Sequence, residues 1–394
     1  MASNPQRLQS RARKQAVAPL ALLLLAATLL PAQESKINPS DSFKFNLPEG
    51  SPLSMLSVNY ENSHAAARGG AMVIDLHMSV TLRNQDNRRI RGLTMLISAQ
   101  EGAPGGRASQ SFPTLDVGPN ESFPVRIDVS LIRPLQSAGG PLVQVSLDGV
   151  LFDNLSFYGP DRLHSKRSLT FWERENQRDR AYLKQVLAAK GPEGLKNEMI
   201  ESINRQSARR GLDVQVTRGA RVTAQSATTP DVHSQFAFLQ LPDSPVQPLE
   251  GWAEISGNEA RNARIDIRNS SPKTVRYVEL GWLLKDQDGR EFLAGSVPAS
   301  EDDLFYLQAN QKARLAQDSS LKFARGAHSP LNIQSMRAYV SQVEFGDGKV
   351  WVPSREALAQ SRLLDIVPPS PEEQRLTGLY LKRGPEAVIQ DLSR

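Results

Sequence analysis

Asp75, His77 and Ser79 alternate along one stretch and carry the residue types of a nucleophilic relay. Residues two apart on an extended chain lie about 7 Å apart, too far for the direct hydrogen bonds a relay needs, so the trio reads as the polar face of a strand. The five histidines, His64, His77, His164, His233 and His328, fall singly and never at metal-ligand spacing. Asp286-Gln287-Asp288-Gly289-Arg290-Glu291 offers carboxylates for a cation, but calcium takes about six or more oxygens including a bidentate carboxylate. Asp288-Gly289 between strands is tight-hairpin chemistry instead. The sequence has no glycine-rich phosphate loop, no Gly-x-Ser-x-Gly elbow and no cysteine. The expectation is a chain that is not an enzyme, with no catalytic residue, no metal ligand and no cofactor.

Binding chemistry is what remains. Arg83 and Arg91 in one segment, with Arg268 and Arg276 in another, form matched guanidinium rows that suit a protein partner. Tyr158 and Trp351 occupy equivalent places after the last strand patterns and form the aromatic part of the candidate surface. They either seal a sandwich against the helix that follows or stack on a sugar or peptide; Tyr306 is a further aromatic of this kind.

These residues belong to a repeat. Val80 to Ile97, VTLRNQDNRRIRGLTMLI, recurs 185 positions later as IDIRNSSPKTVRYVELGW, Ile265 to Trp282. Arg83, Asn84 and Arg91 fall on Arg268, Asn269 and Arg276. Upstream, Phe43 to Leu53 reappears as Phe238 to Val246, with Leu47-Pro48 on Leu241-Pro242. Downstream, Lys190-Gly191-Pro192 matches Arg383-Gly384-Pro385 at an offset of 193, so the second copy is longer by about eight residues, in a loop between Leu284 and Leu307.

Each copy begins with strands. Ile74, Leu76, Met78, Val80 and Leu82 alternate with polar residues, the pattern of a half-buried strand in an antiparallel sheet. Val125 to Leu131 and Val143 to Leu147 repeat it, separated by Gly-, Pro- and Asn-rich turns. Trp282 shares the phase of Val278, Leu280 and Leu284, which predicts a core position. The strand spacing predicts immunoglobulin-like sandwiches at 43–160 and 236–355. A helical segment at 168–205 opens on the capping-box pattern Thr170-Phe171-Trp172-Glu173. Its stretch Glu173 to Arg180 is charged all round and reads as solvated; Gly191-Pro192 breaks the helix. A second helical segment at 370–394 opens on Ser370-Pro371-Glu372-Glu373. Between the copies, 206–233 reads as a basic, solvated linker with one strand around Leu212, Val214 and Val216. The fold class is mainly β with α: two tandem antiparallel sandwiches, each followed by helices.

In the second copy Asn269-Ser270-Ser271, Val275-Arg276-Tyr277-Val278 and the run from Trp282 to Gly289 resemble the FxLyD-type immunoglobulin-like domain of bacterial envelope proteins. Trp282, Leu284 and Asp286 match the motif, and Lys285 replaces its tyrosine. The first copy departs further, with Ile97 to Gly102 in that slot. The resemblance implies an extracytoplasmic, non-catalytic sandwich and carries no site residues.

Lysine and arginine total 47 against 42 acidic residues. Arg7, Arg11, Arg13 and Lys14 precede an apolar run from Ala16 to Leu30, followed by Pro31-Ala32, which reads as a signal peptide at 1–32. The run spans about 15 residues and contains Pro19, against roughly 20 for a membrane span. Losing those four cations leaves the mature chain near +1, which predicts no nucleic-acid partner. A cysteine-free exported chain must be held by core burial, which suits a periplasmic or secreted bacterial protein. Sequons stand at Asn120, Asn154 and Asn269. The sequence thus predicts an exported binding or scaffold protein whose partner is a protein or a glycan, with no stable membrane span after signal cleavage. A carbohydrate-binding module and a hydrolase with a site between the copies are the alternatives. Intact-mass analysis of the exported protein is expected to place its first residue at Gln33; a mass retaining 1–32 would show an uncleaved anchor.

Overall fold

A computed structural model describes residues 43–60, 62–68, 70–100, 105–134, 142–209, 214–221, 232–298, 305–316, 319–325 and 329–393. The leader at 1–32 lies outside these residues, as do Leu212 and His328.

The fold is mainly β. In the first half the strands are β1 (Phe43–Asn46), β2 (Leu53–Asn59), β3 (His64–Arg68), β4 (Ala71–Asn84), β5 (Ile90–Ser98), β6 (Arg107–Phe112), β7 (Ser122–Pro134), β8 (Val143–Phe152) and β9 (Phe157–Tyr158). One sheet has β4 between β7 on one side and β2 and β3 on the other; its companion runs β1-β8-β5-β6, with β9 also on β8. Period-two alternation turns Ile74, Leu76, Met78, Val80 and Leu82 inward from β4, where they meet Leu93, Met95 and Ile97 from β5 and Val143 and Val145 from β8 in one core. Each such side chain contributes about 1.5–3 kcal/mol on burial, the cohesion a cysteine-free chain relies on.

After α1 (Ser165–Ala208) come β10 (Gln215–Arg221), β11 (Val232–Gln235), β12 (Ala237–Phe238), β13 (Val246–Ser256), β14 (Glu259–Asn269), β15 (Val275–Asp286) and β16 (Glu291–Pro298). They are followed by β17 (Lys312–Ala316), β18 (Ser319–Arg325), β19 (Ser329–Pro330), β20 (Ile333–Phe345) and β21 (Val350–Trp351). The sheets run β10-β18-β14-β13-β11, with β17 on β14 and β19 on β18, and β12-β20-β15-β16, with β21 on β20. Trp282 sits in their shared core, edge-on to Phe236 at 4.9 Å.

The halves share their irregularities. β5 slips against β8 between Ile90 and Gly92 and between Thr94 and Met95; β15 slips against β20 between Val275 and Tyr277 and between Glu279 and Leu280, at the repeat-related positions. Isolated bridges join Ile90 to Val117 and Val275 to Leu307. β1 runs parallel to β8, as β12 does to β20. The Leu-Pro match in the sequence is one residue out of register. Ser51 N donates to Pro48 O and Ser244 N to Leu241 O, which sets Pro48, not Leu47, opposite Leu241.

Asn84 and Asn269 hold matching corners. Both are fully buried. Asn84 Nδ2 donates to the carbonyls of Arg88 at 2.9 Å and Gly118 at 3.0 Å, while its Oδ1 accepts from Asp86 N. Asn269 Nδ2 donates to Lys273 O at 2.7 Å and Leu307 O at 2.9 Å, and its Oδ1 accepts from Ser271 N. The sequon at Asn269 is therefore consumed inside the fold.

The helices depart from the sequence reading in three ways. α1 starts at Ser165, not at Thr170: Asp161 Oδ1 accepts from Lys166 N in the first turn, and the buried Asp148 carboxylate on β8 holds the approach to the helix by accepting from Arg162 N, Leu163 N and Ser165 Oγ. Thr170 lies inside the helix, its hydroxyl donating to Lys166 O. The stretch from Glu173 to Arg180 is not solvated: Glu173, Asn176 and Asp179 are all buried. Nor is 206–233 a free linker. α1 continues to Ala208, and β10 pairs antiparallel with β18. The helix does break at Gly191, whose φ of 70° only glycine adopts without strain.

α2 (Arg355–Gln360), a 3-10 turn (Leu363–Asp365), α3 (Pro371–Arg383) and α4 (Pro385–Leu392) close the chain. α3 is capped as its sequence predicts, with Ser370 Oγ accepting from Glu373 N. α1, α3 and α4 share a core of Leu183 and Leu376, Leu195 and Val388, and Met199 and Leu392, each pair 193 positions apart. Gly191 and Gly384, between the paired limbs, adopt nearly the same backbone, φ 70° and 81°.

Partners from distant segments explain the charges on α1. Leu169 packs onto Gly92 of β5, and Phe171 lies 6.2 Å from the ring of Tyr277 on β15. Arg167 pairs with Glu344 at 2.7 Å. Asp179 accepts two hydrogen bonds of 2.9 Å from Arg178 and one of 3.2 Å from Arg355. Arg355 is 4% exposed and also binds Glu198 and Glu373. Arg180 pairs with Glu372, and Arg375 bridges Glu372 and Asp391. Burial would raise Asp179, but Arg178 and Arg355 outweigh it and hold the carboxyl below the usual range. Glu175 goes the other way: burial, with Asp179 and Glu279 near, prevails over Arg178 and pushes its carboxyl up to about 7.

Asn269→Ala is expected to lower stability by about 1–3 kcal/mol, since the Lys273 and Leu307 carbonyls each lose a donor at a buried corner and Ser271 N loses its acceptor; Asn84→Ala should match it. Urea denaturation measures both, and a change within error at either site would refute the corner role. Glu175 supplies a pH test. Its folded pKa of about 7 exceeds the ordinary 4.5, so the ionised form is disfavoured in the native state and stability falls as pH rises from about 4.5 to 7. Glu175→Gln should remove that loss and gain about 1–3 kcal/mol over the native chain between pH 5 and pH 8. An equal difference at both pH values would contradict it.

Candidate binding cleft

The four arginines of the candidate surface have different fates. Arg83 is exposed and its Nε donates to Asn120 O at 3.2 Å; Arg268 reaches Asn310 Oδ1 at 3.5 Å. Asn120 and Asn310 both have positive φ, 61° and 62°, so these two arginines tie strand ends to matching turns. Arg91 pairs with Asp116 at 2.6 Å and with the buried Glu173 at 3.2 Å, bracing β5 against α1. Arg276 is exposed, with no hydrogen-bonding or ionic partner among the described residues. The matched rows of the sequence thus do not form two equivalent surfaces.

The aromatic candidates separate too. Trp351 is half-buried between the second core and a cluster formed by Leu241, Leu283, Tyr339 and Leu358, the sealing role. Tyr306 is 54% exposed. Tyr158 packs on the first core, and its hydroxyl stands 3.5 Å from Glu49 O. It also lines a cleft of about 790 Å³.

Asp75, His77 and Ser79 form no relay. His77 Nδ1 is bonded to Asp128 Oδ1 at 2.8 Å, and Asp75 pairs with His64 at 3.3 Å, all on the surface. At the hairpin, Asp286 accepts from Asp288 N, Arg290 N and Arg290 Nε, so its oxygens turn the chain. Among the described residues no group of three or more His, Asp or Glu is placed to hold a metal ion. No described helix is long and apolar enough to cross a membrane.

The cleft lies on the outward face of β8 and β5, between the end of β1 and the chain from β9 to α1. Asp148 holds that chain in place by accepting from Arg162 N, Leu163 N and Ser165 Oγ. Gly159, at φ 135°, passes so close to Asp148 O that a Cβ would not fit, and the ring of Phe157 lies over Gly149. Asn46 and Ser146, half-buried, and Gln144 and Arg162, exposed, bring polar side chains to the cleft beside Leu96, Phe157 and Tyr158. None of these four polar side chains has a protein hydrogen-bond or ionic partner among the described residues. A concave site with apolar walls and a few convergent polar groups is the form of a ligand site, and the volume lies within the range of about 300–1,000 Å³ usual for one.

At the corresponding place in the second half the space is filled. Gly281, 185 positions beyond Leu96, lies under the ring of Tyr339, the register equivalent of Ser146. α2 and the 3-10 turn then cover that face, burying Ala357, Leu358 and Leu363 against Leu241, Leu283 and Tyr339. Sequence reasoning singled out Tyr158 of the open cleft and missed Asn46, Gln144, Ser146 and Arg162. Polar residues on a strand's outward phase look the same whether they face water or a cleft.

The contact between the halves is rich in carboxylates, but Asp179, Glu198, Glu372, Glu373 and Asp391 each bind a guanidinium. The hollow beside Glu373, Arg205 and Arg178 measures about 20 Å³, room for about one water.

No family model matches the chain, and no curated protein matches it. Among solved structures, a protein described as pT26-6p aligns at 9% identity over 85% of this chain and 73% of its own, with a TM-score of 0.15. A two-domain protein of unknown function from Bacteroides fragilis aligns at 8% identity over 82% and 91%, also at 0.15. A beta-glucosidase from Kluyveromyces marxianus aligns at 7% identity over 68% and 45%, again at 0.15. Similarity at that level carries no statement about the fold or function of this chain.

Proposed function

We propose that the chain is an exported, non-catalytic binding or scaffold protein of the bacterial cell envelope, made by tandem duplication of an immunoglobulin-like sandwich-plus-helix unit. The matching strand slips, isolated bridges, asparagine corners and glycine breaks support duplication, because such irregularities do not follow from a generic sandwich pattern. Trp282 and Leu284 in the core and Asp286 at the hairpin support the likeness to the FxLyD-type domain. The helices of both units share one core and one set of ion pairs, which favours a single rigid body over two units on a flexible tether. The cleft at Tyr158 is the binding site in this reading. The observation that carries it is the contrast between the units: one outward sheet face is covered by the chain's own α2, while its counterpart retains convergent polar side chains without protein partners.

A photo-crosslinking residue at Gln144, introduced into the full-length protein in its host, tests this reading. The expected outcome is a discrete adduct in the extracytoplasmic fraction, absent when the crosslinker replaces Arg276. Retention in the cytosol, or the same adducts from both positions, would overturn it.

A further inference from the structure

Resting on that reading, we infer that the cleft of the first unit binds a linear oligosaccharide, with Asn46, Gln144, Ser146 and Arg162 as hydrogen-bonding groups and Phe157 and Tyr158 as apolar flanks. The second unit shows what an aliphatic occupant of this architecture requires. There the covered face presents Leu239 and Tyr339 to the neighbourhood of Leu358 and Leu363. The register partners in the first unit are Asn46 and Ser146: Asn46 pairs with Ser146 on β8, and Leu239 N donates to Ala338 O beside Tyr339. At these two positions an aliphatic and an aromatic contact of the filled face are thus replaced by an amide and a hydroxyl, while Leu241 has the apolar Pro48 as its counterpart.

An aliphatic helix docked on these groups would strip water from them without returning hydrogen bonds, at about 1–3 kcal/mol for each group left unsatisfied. A polyhydroxylated chain satisfies them. Amides both donate and accept, as sugar hydroxyls do, and the C–H faces of a sugar ring can lie against Phe157 and Tyr158. The charge of the cleft points the same way. Asp148, its one buried carboxylate, is consumed by Arg162 N, Leu163 N and Ser165 Oγ. Arg162 is the cation at the rim, with its guanidinium free to meet a uronate carboxylate as a charge-assisted pair. The ligand class is a neutral or uronate-bearing oligosaccharide, and a cationic sugar polymer is disfavoured.

Titration calorimetry and saturation-transfer NMR on the full mature chain test this with cellotetraose, maltotetraose, tetra-N-acetylchitotetraose and tetragalacturonate as probes. At least one probe should bind, Gln144→Ala and Asn46→Ala should each weaken it about fivefold to tenfold, and Ser146→Tyr should abolish binding with an unchanged melting temperature. Arg162→Gln should weaken tetragalacturonate more than the neutral probes. Failure of all four probes to bind, or binding that Ser146→Tyr leaves unchanged, overturns the inference. A protein adduct at Gln144 with no probe binding would overturn the sugar and leave the binding reading standing. Absence of both adduct and probe binding would remove both.

Discussion

The structure depends on charges that α1 carries into the interior. Asp179, Glu198 and Glu373 converge with Arg178, Arg205 and Arg355, and Glu372 and Asp391 with Arg180 and Arg375. A buried ion pair gives little net stability against an apolar pair of equal size, but a broken one leaves an uncompensated charge costing about 3–5 kcal/mol. Its effect is selective: other ways of placing the C-terminal helices on α1 leave Arg355 without Asp179 and Glu198, and Arg180 without Glu372 and Asp391. The small core of Leu183, Leu195, Met199, Leu376, Val388 and Leu392 supplies cohesion, and the ions fix the register at which it closes. Arg91 and Glu173 extend the same control to the first pair of sheets, and Arg167 and Glu344 to the second.

Local rules made much of the fold legible. The inward phase of Ile74 to Leu82, the core place of Trp282, the Asp288-Gly289 hairpin, the Ser370 cap and the Gly191 break each rest on contacts within a few residues, or on alternation that a single segment displays. The missed features have partners far away in the chain. Glu173 to Arg180 looks solvated because Arg91, Arg355 and Glu372 stand many tens of residues off. The start of α1 was placed late because the chain leading into it is held by Asp148, a side chain on a strand. A strand around Val214 and Val216 was legible, but not its place in a sheet, because β18, with which β10 pairs, comes about a hundred residues later. Of the site, only Tyr158 was legible.

Asn84 and Asn269 occupy an intermediate place. Their recurrence beside arginine marked the repeat, yet surface arginine rows were the simplest reading of that recurrence. The asparagines prove to be the structural members, each spending its amide on backbone carbonyls at a corner, where it adds a second donor to Gly118 O and to Leu307 O. Arg83 and Arg268 serve matching corners from outside, whereas Arg91 and Arg276 differ, one an interior brace and the other on the surface. Repeated residues can therefore mark a shared fold requirement at one position and separate uses at the next.

On the proposed duplication, that difference bears on how two related units could come to differ in function. A sheet face opened by a strand slip has a hollow that must be covered, filled or wetted. In the second unit Tyr339 fills it over Gly281, and α2 covers it, which buries Leu358 and Leu363 and adds apolar area to a part of the molecule that also carries Arg355. With α2 fixed there, Arg355 can reach Asp179 and Glu373, so covering one hollow helps to lock the helices of both units. The first unit need not repeat that task, because α1 already lies across part of its outward face through Leu169 and Gly92. Its remaining hollow is free to keep amides and hydroxyls at positions where the other unit needs apolar contacts. On the proposed duplication and the proposed binding at the cleft, stability is concentrated in one copy and recognition in the other, and the contact between them holds the open cleft in a fixed frame.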